Sequence, residues 1–423
     1  MAAQFKVSDN VAHRTNRTAE TRTVHPTDYE KQIYEQGLKY YRPQFTFQAS
    51  QWQIEAEKLM SADSVGYVSG NAGTGETARK NREAFQKWSI VPKRLVKTKG
   101  LSDLSTTVFD KQEPVPIAIA PVGVQQIFNP DGESASAAAA AKENVPYIMS
   151  TASSTSIEDV AQANGDGTRW FQLYWPSNEH NDITISMLDR AKKAGFTALF
   201  VTLDTYILGW RPSDMDHGYN PFLRSDKIGV AIGFSDPVYR KQFKQKYGCE
   251  IEDDMHNAAA DWSATIFPGT SHSWEDIKFL QDHWDGPIVL KGIQNAADAE
   301  KAVEAGVKGI VVSNHGGRQV DGGPGSLSML PSIVKAVGDR LDVFFDSGVR
   351  CGADIAKALA LGADMCLIGR PYAYGLAMGG EEGVSHVLKS LLGDLQLTLH
   401  LAGIESVSPK HLNSSVLVRE DQL

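Results

Sequence analysis

Cysteine is nearly absent: Cys249, Cys351 and Cys366 are the whole complement in 423 residues. An odd number without paired spacing argues against a disulfide framework or a zinc centre, so no metal is expected, and a reducing, cytoplasmic compartment fits best. Long apolar runs are missing too. No stretch approaches the roughly 20 residues that span a bilayer, and the N-terminus lacks the apolar centre of a secretory signal. Positive charge is in deficit, with 42 Lys and Arg against 51 Asp and Glu. That balance argues against a general nucleic-acid or anionic-membrane binder but allows a local basic pocket.

What is present is the composition of a folded enzyme, with 42% hydrophobic and 22% charged residues, enough to bury a large core. Residues 1–28 carry Arg14, Arg17 and Arg22 among Ser, Thr and Asn; they read as a flexible tail, with organelle targeting as the alternative. Residues 405–423 read as a C-terminal tail, and 29–404 as one domain.

Within that domain, short apolar runs alternate with amphipathic stretches. Eight runs are found: 117–120, 147–149, 170–174, 198–204, 288–291, 309–313, 343–346 and 365–368. Eight such units predict closure into a (β/α)8 barrel of the TIM type rather than an open sheet. Helices are expected over 295–305 and 352–361, stopped by Gly306 and Gly362. Two segments break the repeat: a helical extension over 50–101, and a long loop over 213–273 after the fourth strand, read as a lid or as disorder.

Polar residues gather at strand ends, the barrel face where active sites are built. The strongest signal is Ser313-Asn314-His315-Gly316-Gly317-Arg318-Gln319 after the sixth run, which presents a histidine and an arginine on a glycine turn. Asp204 ends the fourth run, and a carboxylate beside His315 would orient it as a base. Arg211 and Arg318 would together grip a substrate carboxylate. Asp346, Gly348, Arg350, Gly369 and Arg370 follow the last two runs, where barrels commonly hold a phosphate. Lys291 ends a buried strand and requires an anionic partner, which could be a reduced flavin. Plainer readings stand beside these: a satisfied loop histidine, a surface Asp–Arg pair, a structural lysine ion pair, and a Schiff-base lysine as competing chemistry.

These residues resemble the FMN-dependent L-2-hydroxy acid oxidases and dehydrogenases, a family that includes glycolate oxidase, lactate oxidase and the flavin domain of flavocytochrome b2. The likeness runs from about Tyr29 to Gly403. The segment Gly209-Trp210-Arg211-Pro212, the long insertion and Gly66-Tyr67-Val68-Ser69-Gly70 are most similar to the lactate 2-monooxygenase branch. The resemblance implies FMN as cofactor, a small 2-hydroxy acid as substrate, molecular oxygen as acceptor and a homotetramer. It implies His315 as the base, Asp204 as its partner, Arg211 and Arg318 as the clamp, and Tyr67 and Tyr174 as substrate-side hydrogen-bonding groups.

For the cofactor it implies Ala120, Pro121, Val122, Gly123, Ser150, Gln172, Thr202, Lys291 and Ser313 around the flavin ring. Asp346, Gly348, Arg350, Gly369 and Arg370 would hold the ribityl and phosphate groups. Gly123, where many relatives carry alanine, would leave room beside the flavin for oxygen or retained keto acid, which peroxide would decarboxylate. Ser347, where several relatives carry glycine, is a departure expected to be tolerated. Trp175 and Trp210 are candidates for the side-chain pocket. A plain oxidase, a dehydrogenase with another acceptor and a larger substrate, and a non-catalytic barrel remain the competing readings.

Overall fold

Eight parallel strands close into a barrel where the apolar runs fall. They are β1 (Ile117–Ile119), β2 (Tyr147–Ser150), β3 (Arg169–Tyr174), β4 (Leu199–Thr202), β5 (Ile288–Ile293), β6 (Gly309–Val312), β7 (Asp342–Phe345) and β8 (Met365–Ile368). β8 pairs with β1 to complete the ring. The structure is a computed structural model that describes residues 6–7, 25–223 and 228–422. The tail expected over 1–28 lies largely outside the described residues.

Helices return the chain between strands: α1 (Gly132–Lys142), α2 (Ile157–Asn164), α3 (Asn181–Lys193), α4 (Ile277–His283), α5 (Ala296–Glu304), α6 (Ser326–Val337), α7 (Gly352–Ala360) and α8 (Arg370–Leu401). Their ends obey local chemistry. The Asn295 side chain caps α5 by accepting from the amide of Asp298 at 2.8 Å, and Gly306 and Gly362 turn the chain after α5 and α7 at φ 72° and 100°.

The interior is packed with aromatic rings. Trp170 and Phe200 stack at 5.4 Å, and Phe344 meets Phe200 edge-on at 5.3 Å. Phe109 closes the floor against Trp170 and Phe344, each 5.5 Å away. It sits at the tip of a hairpin, Thr106–Val108 with Lys111–Glu113, pinned where its amide donates to Asp342 at the start of β7. The floor is thus sealed, and open space collects at the strand ends.

The extension is helical as expected, with Ala49–Glu57, Ala62–Ser69 and Glu76–Gln86 crossing the barrel mouth. The long insertion is built around its own aromatic core, in which Tyr239 packs on Trp262 at 5.0 Å. It is tied to α3 through Arg190 and the fully buried Asp236. The C-terminal tail reading is corrected: Leu417–Arg419 pairs antiparallel with Trp88–Ile90, and Leu412 and Val416 are buried. Apolar residues spaced too irregularly for one helix or strand anchor that segment.

Candidate active site

Strand register sets the floor of the site. Tyr174, Thr202 and Lys291 are direct neighbours across β3, β4 and β5, and Ser150 pairs with Gln172 across β2 and β3. Gln172 donates to the Thr202 hydroxyl at 2.9 Å and accepts from the amide of Thr151 at 3.1 Å. Lys291 is buried, donates to the Ser313 hydroxyl at 3.2 Å and lies 3.6 Å from Asp346. The small residues Ala120, Pro121, Val122 and Gly123 line the same cavity, with Gly348, Arg350, Gly369 and Arg370 at its other end.

His315 and Asp204 meet as expected. Nδ1 of His315 lies 2.8 Å from Oδ1 of Asp204, and the Thr205 hydroxyl stands 2.7 Å from that oxygen and 3.1 Å from Nδ1. Burial alone would raise the Asp204 carboxyl, but His315 and Lys291 outweigh it and hold the group well below the usual carboxylate range. Burial, with Lys291 and Arg211 adding to it, pushes His315 below the ordinary imidazole value. With Asp204 ionised, its carboxylate accepts from Nδ1–H of His315, which leaves Nε2 as the ring nitrogen that can take a proton.

Burial, with the Arg318 guanidinium close by, pulls Arg211 down to about 10. Arg211 is fixed by the Arg318 carbonyl at 3.1 Å and the Gln319 amide oxygen at 2.7 Å. Arg318 donates to the carbonyls of Tyr67 and Gly70 at 2.5 and 2.8 Å, and its guanidinium lies 4.8 Å over the Tyr67 ring. Tyr174 completes this wall, its hydroxyl pushed above the ordinary phenol value by burial. From the insertion, Phe267 packs on Tyr174 at 5.0 Å and Phe222 approaches Tyr67 at 6.4 Å.

At the far end, burial with Arg318 and Arg350 nearby pulls Arg370 down to about 9. Arg370 donates to the carbonyls of Val68, Gly316 and Gly70 and to the Asn71 side chain, whereas Arg350 is held by its own neighbour's carbonyl at Val349. Crowded guanidinium groups whose hydrogen bonds go to neutral oxygens are stabilised when an anion enters.

Three expectations need correction. Trp210 is 72% exposed and faces solvent, and Trp175 stacks on His272 at 3.7 Å in a neighbouring cavity, so neither lines the wall of Tyr67 and Tyr174. A Cβ on Gly123 would fall 2.7 Å from the Ala152 carbonyl oxygen and 2.8 Å from its Cβ. The missing methyl is therefore space that the loop after β2 fills, rather than room beside the flavin. Thr205 and Gln319 were given no role in the sequence. Gln319 donates to the carbonyls of Asp204 and Ile207 while accepting from Gly209 and Arg211. Its place at the end of the signature segment was the available signal.

Fold and site together define a (β/α)8 oxidoreductase that acts on 2-hydroxy acids. The chain belongs to the FMN-dependent dehydrogenase family, whose model matches residues 56–419. An FMN-dependent alpha-hydroxy acid dehydrogenase of Schizosaccharomyces pombe is 65% identical over 94% of this chain and 97% of its own. An L-lactate oxidase of Lysinibacillus sphaericus is 42% identical over 86% and 91%. The crystal structure of a mandelate oxidase superposes with a TM-score of 0.75 at 32% identity, over 87% of this chain and 98% of that one.

The residues present fit FMN. The buried Lys291 offers a cation to the electron-rich edge of a flavin, and a Cβ placed on Gly369 would meet nothing closer than Ala120 at 3.9 Å, leaving a backbone cradle for a bulky group. The arginine-rich end suits its phosphate.

Proposed function

We propose that this enzyme oxidises a small L-2-hydroxy acid at the carbon bearing the hydroxyl, with the substrate carboxylate held between Arg211 and Arg318. The observation that carries the reading is the His315–Asp204 contact at 2.8 Å beside that arginine pair. His315 takes the proton, from the hydroxyl or from the carbon, and Asp204 stabilises the imidazolium that results. Tyr67 and Tyr174 orient the hydroxyl. Bound FMN would supply the two-electron acceptor for this oxidation, with molecular oxygen as the proposed final acceptor. Ser150, Gln172, Thr202, Lys291 and Ser313 would hold its ring, together with Ala120, Pro121, Val122 and Gly123. Asp346, Gly348 and Arg350 would hold its ribityl and phosphate groups together with Gly369 and Arg370.

Closure of the site favours a lactate 2-monooxygenase-like outcome. Arg211, Tyr67 and Tyr174 are all buried beneath the insertion. A keto acid that leaves slowly meets hydrogen peroxide there, and the pair becomes the shortened acid, carbon dioxide and water. The competing oxidase outcome releases keto acid and peroxide. The exposed Tyr34, Leu38 and Tyr40 on and after helix Asp28–Leu38 support assembly into an oligomer, a homotetramer by resemblance. The free cysteines support a reducing, cytoplasmic location.

Short and branched L-2-hydroxy acids, added without oxygen, should bleach the flavin, and the best of them should then consume oxygen. No bleaching by any of them overturns the reading. Stoichiometric keto acid and peroxide would reject the monooxygenase outcome and leave the oxidase.

A further inference from the structure

Ser347 occupies a backbone conformation that ordinary side chains avoid. Its φ is 81°, in the left-handed region, and Gly348 follows at 107°. A serine at such a position points to a task for its side chain. The hydroxyl is fully used: it donates to Oδ1 of Asp346 at 2.7 Å and accepts from the amides of Asn314 at 3.3 Å and Gly316 at 3.0 Å. One donor and two lone pairs are all that a hydroxyl has.

The two amides flank His315, which itself stands at φ 57°. Its own amide donates to the Ser313 hydroxyl at 3.1 Å, the group that also accepts from Lys291. On the far side, the side-chain carboxamide of Asn314 is paired reciprocally with that of Asn81. Ser347 is thus the clasp between two facing left-handed turns, one carrying the base and the other running into the arginine-rich end. Asp346, which fixes the clasp, is the carboxylate beside Lys291.

We propose that Ser347 is a positioning residue for His315: its hydroxyl holds the Asn314 and Gly316 amides so that the imidazole stays aimed at the substrate. The inference rests on reading His315 as the base. Without the hydroxyl, two amides lose their partner and the turn relaxes toward easier dihedral angles, taking the imidazole with it.

Two variants of the holoenzyme separate this role from plain packing. Ser347→Ala keeps the strained backbone and loses the hydroxyl, whereas Ser347→Gly loses both. Both should slow anaerobic flavin reduction about 10- to 100-fold, with KM and FMN content within about twofold of the parent. Backbone amide exchange over 313–317 should quicken in both. Ser347→Gly should melt at or above the temperature of Ser347→Ala. In a His315→Ala background, Ser347→Ala should cost nothing further, as expected of a residue acting through the imidazole.

Parental reduction in Ser347→Gly overturns the proposal whatever its melting temperature, and so does unchanged exchange over 313–317. If His315→Ala itself reduces flavin normally, the base assignment fails, and the exchange measurement still decides whether the clasp exists.

Discussion

The carboxylate of Asp204 lies against the bare α-carbon of Gly292: a Cβ built there would sit 3.1 Å from both Cβ and Oδ2 of Asp204. Gly292 has φ 109° and marks the point where the pairing of β5 with β6 shifts register. The bulge lets the carboxylate stand behind the imidazole. Gly292→Ala should therefore displace Asp204 and lower the rate of flavin reduction about 100-fold, with FMN still bound. Stopped-flow reduction and the flavin spectrum check it, and a parental rate would show that the contact is irrelevant to the base.

His315→Ala removes the proton acceptor while leaving the residues around the flavin in place. Reduction of bound FMN should fall by about 10²- to 10⁴-fold. Equal reduction rates in variant and parent would take the imidazole out of the chemistry.

The acid limb of kcat/KM follows from the direction of the His315 shift. A base whose folded-state affinity for protons is lowered stays neutral until pH drops below the ordinary imidazole value of 6.5, so activity is retained through neutrality and lost on the acid side. A pH profile of the free enzyme with saturating oxygen tests this. An acid limb centred above 6.5 would contradict the assigned direction.

Arg211→Lys keeps the charge but loses the planar fork that Gln319 and the Arg318 carbonyl hold in place. KM for the hydroxy acid should rise about 10- to 100-fold, with a smaller change in the reduction rate at saturation. Steady-state kinetics on a single substrate settles the split.

Phe344 is wholly buried among Phe109, Trp170 and Phe200. Phe344→Ala should cost about 3–5 kcal/mol of stability by opening a cavity in the barrel interior. Urea titration of the apoprotein reads the loss directly.

Much of this was legible in the residues because strand and site reinforce one another. Apolar runs such as those ending at Lys291 and Ser313 mark both a buried strand and the polar group it delivers, so barrel and site emerge together. Relations that depend on backbone shape were hidden. The hairpin turn at Phe109 and Asp110 takes positive φ at both residues without the glycine or asparagine that announces such turns. Ser347 looked like a tolerated replacement for glycine, since nothing in a string of letters shows a hydroxyl spanning to another turn. Gly123 misled in the opposite way: its neighbour in space, Ala152, is remote from the cavity logic that made the glycine seem important. Trp210 reads as a pocket aromatic in the sequence, yet its side chain is exposed to solvent.

The stoppered base of the barrel has a kinetic corollary. With Phe109 plugging one end, the cavity lies at the other end of the barrel, where residues of the insertion pack on Tyr67 and Tyr174. In the proposed reaction the product leaves by the path the next substrate enters, so lengthening or trimming the insertion should change how long a finished molecule lingers.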